Sequence, residues 1–233
     1  MLDKRKFYIN GKWVEPSKKN DYEVIDPSNE EIFAVISLGS KTDIDLAVKV
    51  SKKAFESWKE TSKEERIKLL QSLLSVYKNR FGEMTEAISK EMGAPMDWSS
   101  NVQNASGQAH LEDFIIRLKN FKFDRQFDSK SNNHIFYEPI GVCGLITHWN
   151  WPINQIALKV IPALATGCTM ILKPSEIAPI SAMLFAEMIH EAGLPPGVFN
   201  LINGDGVGVG TYISGHPDID MVSFTGSTRA GKL

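Results

Sequence analysis

From Gly141 onward the chain alternates short apolar runs with helix-length segments, and this rhythm limits the possible folds more than any other feature. The runs "GVCGLIT", "CTMILK", "VFNLI" and "IDMVSF" read as buried strands. Residues 152–165, 178–191 and 206–214 between them read as helices, the second ended by "GLPPG". Strands apolar on both faces and separated by helices imply βαβ units: a Rossmann-like parallel α/β sheet with helices on both faces and right-handed crossovers. Ligands of such sheets bind outside the carboxyl ends of the strands. The residues just after each strand are therefore the functional candidates.

The preceding segment has a different texture. "FYINGKWVEP" holds Asn10-Gly11 between apolar flanks, a strong hairpin signal, and "EVIDPSNEEIFAVIS" repeats the design around residues 27–29. A helical layer follows. One helix opens with Thr42 and Asp45 at capping-box spacing, and a second has Ser62 and Glu65 as caps. A third runs from about Glu83 to Glu91 and stops at Gly93, and a fourth runs from about Trp98 to Lys119. "FDRQFDSKSNNHIFYEP" is polar with scattered aromatics and suits an exposed hairpin or arm. The chain thus divides into hairpins and helices (1–120), an arm (121–139) and a Rossmann-like core (140–233).

With 42% hydrophobic and 23% charged residues and a net charge of −2, the 233-residue chain has no basic excess to suggest nucleic acid or an anionic membrane. Its apolar runs fall short of the ~20 residues a membrane span needs, and its N-terminus carries charge where a secretory signal has an apolar core. The expected location is the cytoplasm. Cys143 and Cys168 sit in apolar stretches and read as buried reduced thiols, against the alternatives of a disulfide or a reactive nucleophile. The five histidines lack metal-ligand spacing, so no metal is expected.

Each post-strand segment carries candidate chemistry beside a plainer reading. In "THWNWP", the carboxamide of Asn150 can donate to an oxyanion, or it is a turn residue between packing tryptophans. In "KPSE", Lys173 and Glu176 offer a ribose an ammonium donor and a carboxylate acceptor, or form a surface ion pair. "NGDGVGVG" never satisfies strict G-x-G-x-x-G and is equally a flexible turn before a helix. "FTGSTRAGKL" nearly matches the triphosphate loop, but Leu233 stands where that loop needs Ser or Thr to hold Mg²⁺.

Taken in order, "EPIGVCGLITHWNWPI", "ALATGCTMILKPSEIAP", "AGLPPGVFNLINGDG" and "FTGSTRAGK" closely resemble the aldehyde dehydrogenase superfamily, and the "NGKW" hairpin and "EMGAP" extend the resemblance over essentially the whole chain. The resemblance is to the N-terminal, cofactor-binding half. It implies NAD(P)-dependent oxidation of an aldehyde to a carboxylic acid: a cysteine thiolate attacks, hydride passes to the cofactor, and glutamate-activated water releases the acid. It assigns Asn150 to the oxyanion and Lys159 to the proton path, where the plainer reading of Lys159 is a solvated helix position. Ile146, Thr147, His148 and Trp149 would line the cofactor's course; Lys173, Ser175 and Glu176 would hold the adenosine ribose, the carboxylate favouring NAD over NADP. Gly206 would lie against adenine, with Phe224, Gly226, Ser227 and Ala230 around the pyrophosphate at the next helix N-terminus.

The chain departs from the family pattern at His148, where proline is common, and at Cys168, where asparagine is frequent. Neither cysteine occupies the nucleophile's place. The family's catalytic domain, with its nucleophile and glutamate base, follows "GSTRAGK". The expectation is therefore an incomplete aldehyde dehydrogenase fold, inactive as 233 residues, that forms homodimers or homotetramers through the arm when joined to a complementary catalytic half. The alternative is a non-catalytic dinucleotide-binding or oligomerisation module.

Overall fold

The computed structural model describes residues 1–130 and 132–232; Leu233, which breaks the triphosphate-loop pattern, lies outside the described residues. β1 (Leu2–Lys4) adds in parallel to β5 (Glu31–Ser37), which forms a hairpin with β4 (Asp21–Asp26). A second hairpin joins β2 (Phe7–Ile9) to β3 (Lys12–Val14) through Asn10 and Gly11, with φ of 54° and 74°. Two successive left-handed residues are what a two-residue type I′ turn needs, and Asn-Gly tolerates them best.

α1 (Lys41–Trp58) begins earlier than the Thr42/Asp45 pattern suggests. Ser40 is its N-cap and Asp43 the box acid: the Asp43 carboxylate accepts from the Ser40 N–H (2.8 Å) and hydroxyl (2.7 Å). Two S/T-x-x-D patterns overlap here, and the tertiary contact decides between them, because Ser17 also donates its N–H (2.9 Å) and hydroxyl (3.0 Å) to Asp43. α2 (Lys63–Asn79) is capped by Ser62 and Glu65 as expected, and α3 (Phe81–Met92) ends at Gly93. The fourth helix is not continuous. It divides into α4 (Met96–Trp98), a wider π turn over Ser99–Asn104, and α5 (Ala105–Asn120). The wide turn delivers Asn104 into the core, where its amide donates to the Phe81 carbonyl (2.7 Å) and the Thr85 hydroxyl (2.8 Å) and its oxygen accepts from the Tyr77 hydroxyl. β6 (Asp124–Gln126) and β7 (His134–Phe136) form the arm, a separate two-stranded sheet with Phe127 and Phe136 exposed.

The core runs β8 (Val142–Ile146), α6 (Pro152–Thr166), β9 (Thr169–Lys173), α7 (Ile180–Glu191), β10 (Phe199–Leu201), a π turn over Gly206–Gly210 leading into α8 (Thr211–Ser214), and β11 (Met221–Phe224). The sheet order is β11-β8-β9-β10-β2-β3, with the first four strands parallel and the hairpin antiparallel to β10. α6 and α7 bury Cys143, Leu145, Met170, Leu172 and Phe199 on one face. α1 and α8 bury Val142, Ile146, Ile171 and Ile202 on the other. The chain therefore steps from β8 through β10 along one face, then crosses back to place β11 on the far side of β8. The strand order reverses between β8 and β11, the position where open α/β sheets leave a crevice. The helix expected after β11 is, among the described residues, a three-residue 3-10 turn over Ala230–Lys232. No helix of the described residues is long and apolar enough to cross a membrane.

Candidate functional site

Phe224, Ile146 and Lys173 stand level across the carboxyl edge of β11, β8 and β9. Their successors are tied together. The Thr147 N–H donates to the Lys173 carbonyl (3.1 Å), the Thr225 N–H to the Ile146 carbonyl (3.0 Å) and the Ile202 N–H to the Leu172 carbonyl (3.0 Å). Four loops thus leave one edge with their starting points fixed.

The loop after β8 is organised by a residue the sequence reading missed. Gln155, in the first turn of α6, accepts from the His148 N–H at 2.7 Å and donates to Asn150 Oδ1 at 2.9 Å. Asn150 is exposed, and with its oxygen engaged its N–H groups remain as donors. Thr147 is buried, whereas the rings of His148 and Trp149 stack at 5.5 Å between centroids over the loop's outer side.

After β9, Lys173 is 3% exposed and does not emerge as a free cation. Its Nζ donates to the Pro174 carbonyl (2.7 Å) and the Gly204 carbonyl, with Glu176 Oε2 at 3.5 Å. Burial holds its pKa below that of an ordinary lysine, with Glu176 opposing the shift. The lysine thereby staples the loop after β9 to the loop after β10. Between them Glu176 keeps about a quarter of its side chain in solvent (26%), and the buried Ser175 hydroxyl accepts from the Ile177 N–H (3.3 Å). In the third loop the Asp205 carboxylate accepts from the Gly208 N–H (2.7 Å), and nothing lies within 4 Å of where a side chain on Gly206 would begin.

After β11, Gly226 lies close under the Phe224 ring, which would have to swing aside to admit a Cβ there. Ser227 Oγ accepts from the Ala230 N–H at 3.2 Å, and both residues are exposed. Lys159 is not a solvated helix position. Its amine is half-buried and donates to Ser223 Oγ on β11 at 2.7 Å, and burial lowers its pKa. It faces a cavity of about 340 Å³ lined also by Leu158, Met221, Cys143 and Cys168. The two thiols are unpaired and buried, away from the carboxyl edge. A hydrogen bond between the two sulfurs holds Cys168 down at about 6 and pushes Cys143 up. A separate cavity of about 700 Å³ lies between α1 and the α8–β11 connection, lined by Lys41, Lys49, Tyr212 and His216, and shares none of these groups.

The aldehyde dehydrogenase family profile matches residues 13–233. A 3-succinoylsemialdehyde-pyridine dehydrogenase of a Pseudomonas species is 50% identical over 100% of this chain and 48% of its own length. An aldehyde dehydrogenase structure from Bartonella henselae superposes with a TM-score of 0.98 at 58% identity, covering 100% of this chain and 49% of that one. A variant of aldehyde dehydrogenase C from Pseudomonas syringae, solved with NAD⁺ and octanal, gives 0.95 at 45% identity over 98% of this chain and 46% of its own. The chain spans about half the length of the relatives it matches.

Proposed function

Because the chain belongs to the aldehyde dehydrogenase family, we propose that its four post-strand loops form the NAD⁺ site and part of the oxyanion site of an oxidoreductase that turns an aldehyde into a carboxylic acid. The observation that carries this reading is the convergence of the loops at the reversal between β8 and β11, with a partly exposed carboxylate, Glu176, at one end and Asn150 at the other. Bound NAD⁺ would supply the two-electron acceptor.

The chain's own residues have distinct tasks. Glu176 accepts from the ribose hydroxyls and repels a 2′-phosphate, Lys173 holds its loop, and Ser175 fixes the backbone between them. Ile146, Thr147, His148 and Trp149 line the path from there to Asn150. Gly206, Phe224, Gly226, Ser227 and Ala230 border the adenine and pyrophosphate positions. Asn150 donates to the oxygen on which charge develops when a thiolate adds to the aldehyde, and Lys159, held by Ser223 on β11, serves the proton path. The thiolate and the hydrolytic base come from outside these residues, since both cysteines here are buried. Residues 121–139 act as the oligomerisation arm, and the two unpaired thiols suit a reducing, cytoplasmic compartment.

Calorimetric titration of the 233-residue chain tests this reading. NAD⁺ should bind saturably and NADP⁺ more weakly, with Glu176→Gln weakening NAD⁺ by about 10-fold, the loss of one charge-assisted hydrogen bond. No NADH should form when an aldehyde is added. Absence of NAD⁺ binding, or turnover by this chain alone, would overturn the assignment.

A further inference from the structure

We propose that Gln155 is a positioning residue that decides which atom of the Asn150 carboxamide faces the reacting aldehyde. The inference rests on the oxyanion reading of Asn150 and extends it to a residue that acts through Asn150. The His148 backbone N–H can only donate, so the Gln155 atom 2.7 Å from it is the oxygen. The other end of the Gln155 carboxamide is then the NH₂, and it faces Asn150 at 2.9 Å. An NH₂ can only donate, so Asn150 presents its oxygen to Gln155 and turns its own NH₂ away. One backbone N–H thus orients two carboxamides in series and removes the usual ambiguity of which end is nitrogen.

The helix supplies the rigidity that the loop lacks. Gln155 lies in the first turn of α6, its own N–H bonded to the Trp151 carbonyl at 3.3 Å. Helical side chains lean toward the N-terminus, which carries this one back over residues 148–150. Asn150 is exposed and has no other hydrogen bond among the described residues, so without Gln155 its carboxamide is free to rotate. Donation into Asn150 Oδ1 also polarises that amide and strengthens its N–H groups as donors.

The substitution Gln155→Glu isolates the effect, because it changes one atom and keeps the acceptor for His148. Glutamate has no hydrogen to give Asn150, so the Asn150 carboxamide turns over to donate to it and presents oxygen to the site. In ¹⁵N-labelled protein, the Asn150 side-chain NH₂ signals, identified by their loss in Asn150→Asp, should move downfield in Gln155→Glu and stay free in the original chain. With the chain joined to the second half of a full-length relative, Gln155→Glu should lower kcat by about 100-fold, as loss of an oxyanion donor does. Gln155→Met, which frees Asn150 without inverting it, should cost roughly 10-fold or less. NAD⁺ affinity and thermal midpoint should be unchanged in Gln155→Glu, which keeps the acceptor for the His148 N–H. Identical Asn150 signals in the two proteins, or equal kcat for Gln155→Glu and the original, would overturn the proposal. Failure of the underlying function shows separately, as an unsubstituted chain that binds no NAD⁺.

Discussion

A carboxylate buried without a cation is costly, and Glu91, 2% exposed at the end of α3, is such a group. Its oxygens accept from the N–H groups of Ile180 and Ser181, so it caps the first turn of α7 just beyond the loop that carries Lys173 and Glu176. Burial pushes its pKa up from 4.5 to about 7, against the N–H groups that favour the charged form. The folded state thus binds an extra proton between those values. The resulting stability is complete below about pH 4.5 and is lost as pH rises through 7. Comparing urea unfolding of the original chain with Glu91→Gln, the difference in stability should change by up to about 3 kcal/mol between pH 4.5 and 8; parallel pH profiles would exclude this titration. Glu91 was not legible as a functional support, because nothing in "EMGAP" announces a partner some 90 residues away. Lys173 was legible by position but not by posture, since its bond to the Gly204 carbonyl joins two loops that the sequence presents separately. Gln155 could have been found: a carboxamide five residues after Asn150, across a Pro152 helix start, is within reach of the loop.

Elements whose signals are local are legible, and those decided by distant contacts are displaced; "IDMVSF", which reads as a buried strand, is the largely exposed edge strand β11. The Asn10-Gly11 hairpin, the Ser62 cap and the apolar strands each carry their cause within a few residues. The start of α1 does not, because Ser17 selects Asp43 over Asp45. This register has a direct consequence for stability. Asp43→Ala should destabilise by about 2–3 kcal/mol, since it strands donors from Ser40 and Ser17 around a buried site. Asp45→Ala should cost under about 0.5 kcal/mol, because Asp45 makes only partly exposed ion pairs with Lys41 and His216. Denaturation midpoints of the two variants decide the matter, and equal losses would restore the later cap. The π turn before α5 was likewise hidden, because its cause is Asn104 meeting Tyr77, Phe81 and Thr85 from α2 and α3.

At the scale of the molecule, the α/β architecture was legible because a parallel sheet leaves fully apolar strands, whereas the edge closed by the β2–β3 hairpin was not. At one edge β11 pairs, among the described residues, with β8 alone, and Met221, Val222 and Phe224 are 37%, 37% and 41% exposed. Amides of β11 in the 233-residue chain should exchange with solvent roughly 100-fold faster than those of β8 and β9, measurable by mass spectrometry; uniform protection across the sheet would contradict this. At the other edge the β2–β3 hairpin closes the sheet, with Tyr8 opposite Leu201 and the Asn10 N–H donating to Asn200 Oδ1 at 2.9 Å. Asn200 in turn donates to Ser51 Oγ and the Gly197 carbonyl, both at 2.9 Å, so hairpin, α1 and β10 meet at one fully buried side chain. During synthesis the hairpin leaves the ribosome on the order of 10 to 40 s before its partner strand. Through that interval Phe7 and Ile9, fully buried in the finished fold, have no sheet to cover them, and the nascent chain carries an apolar hairpin that a chaperone can hold until residue 201 emerges.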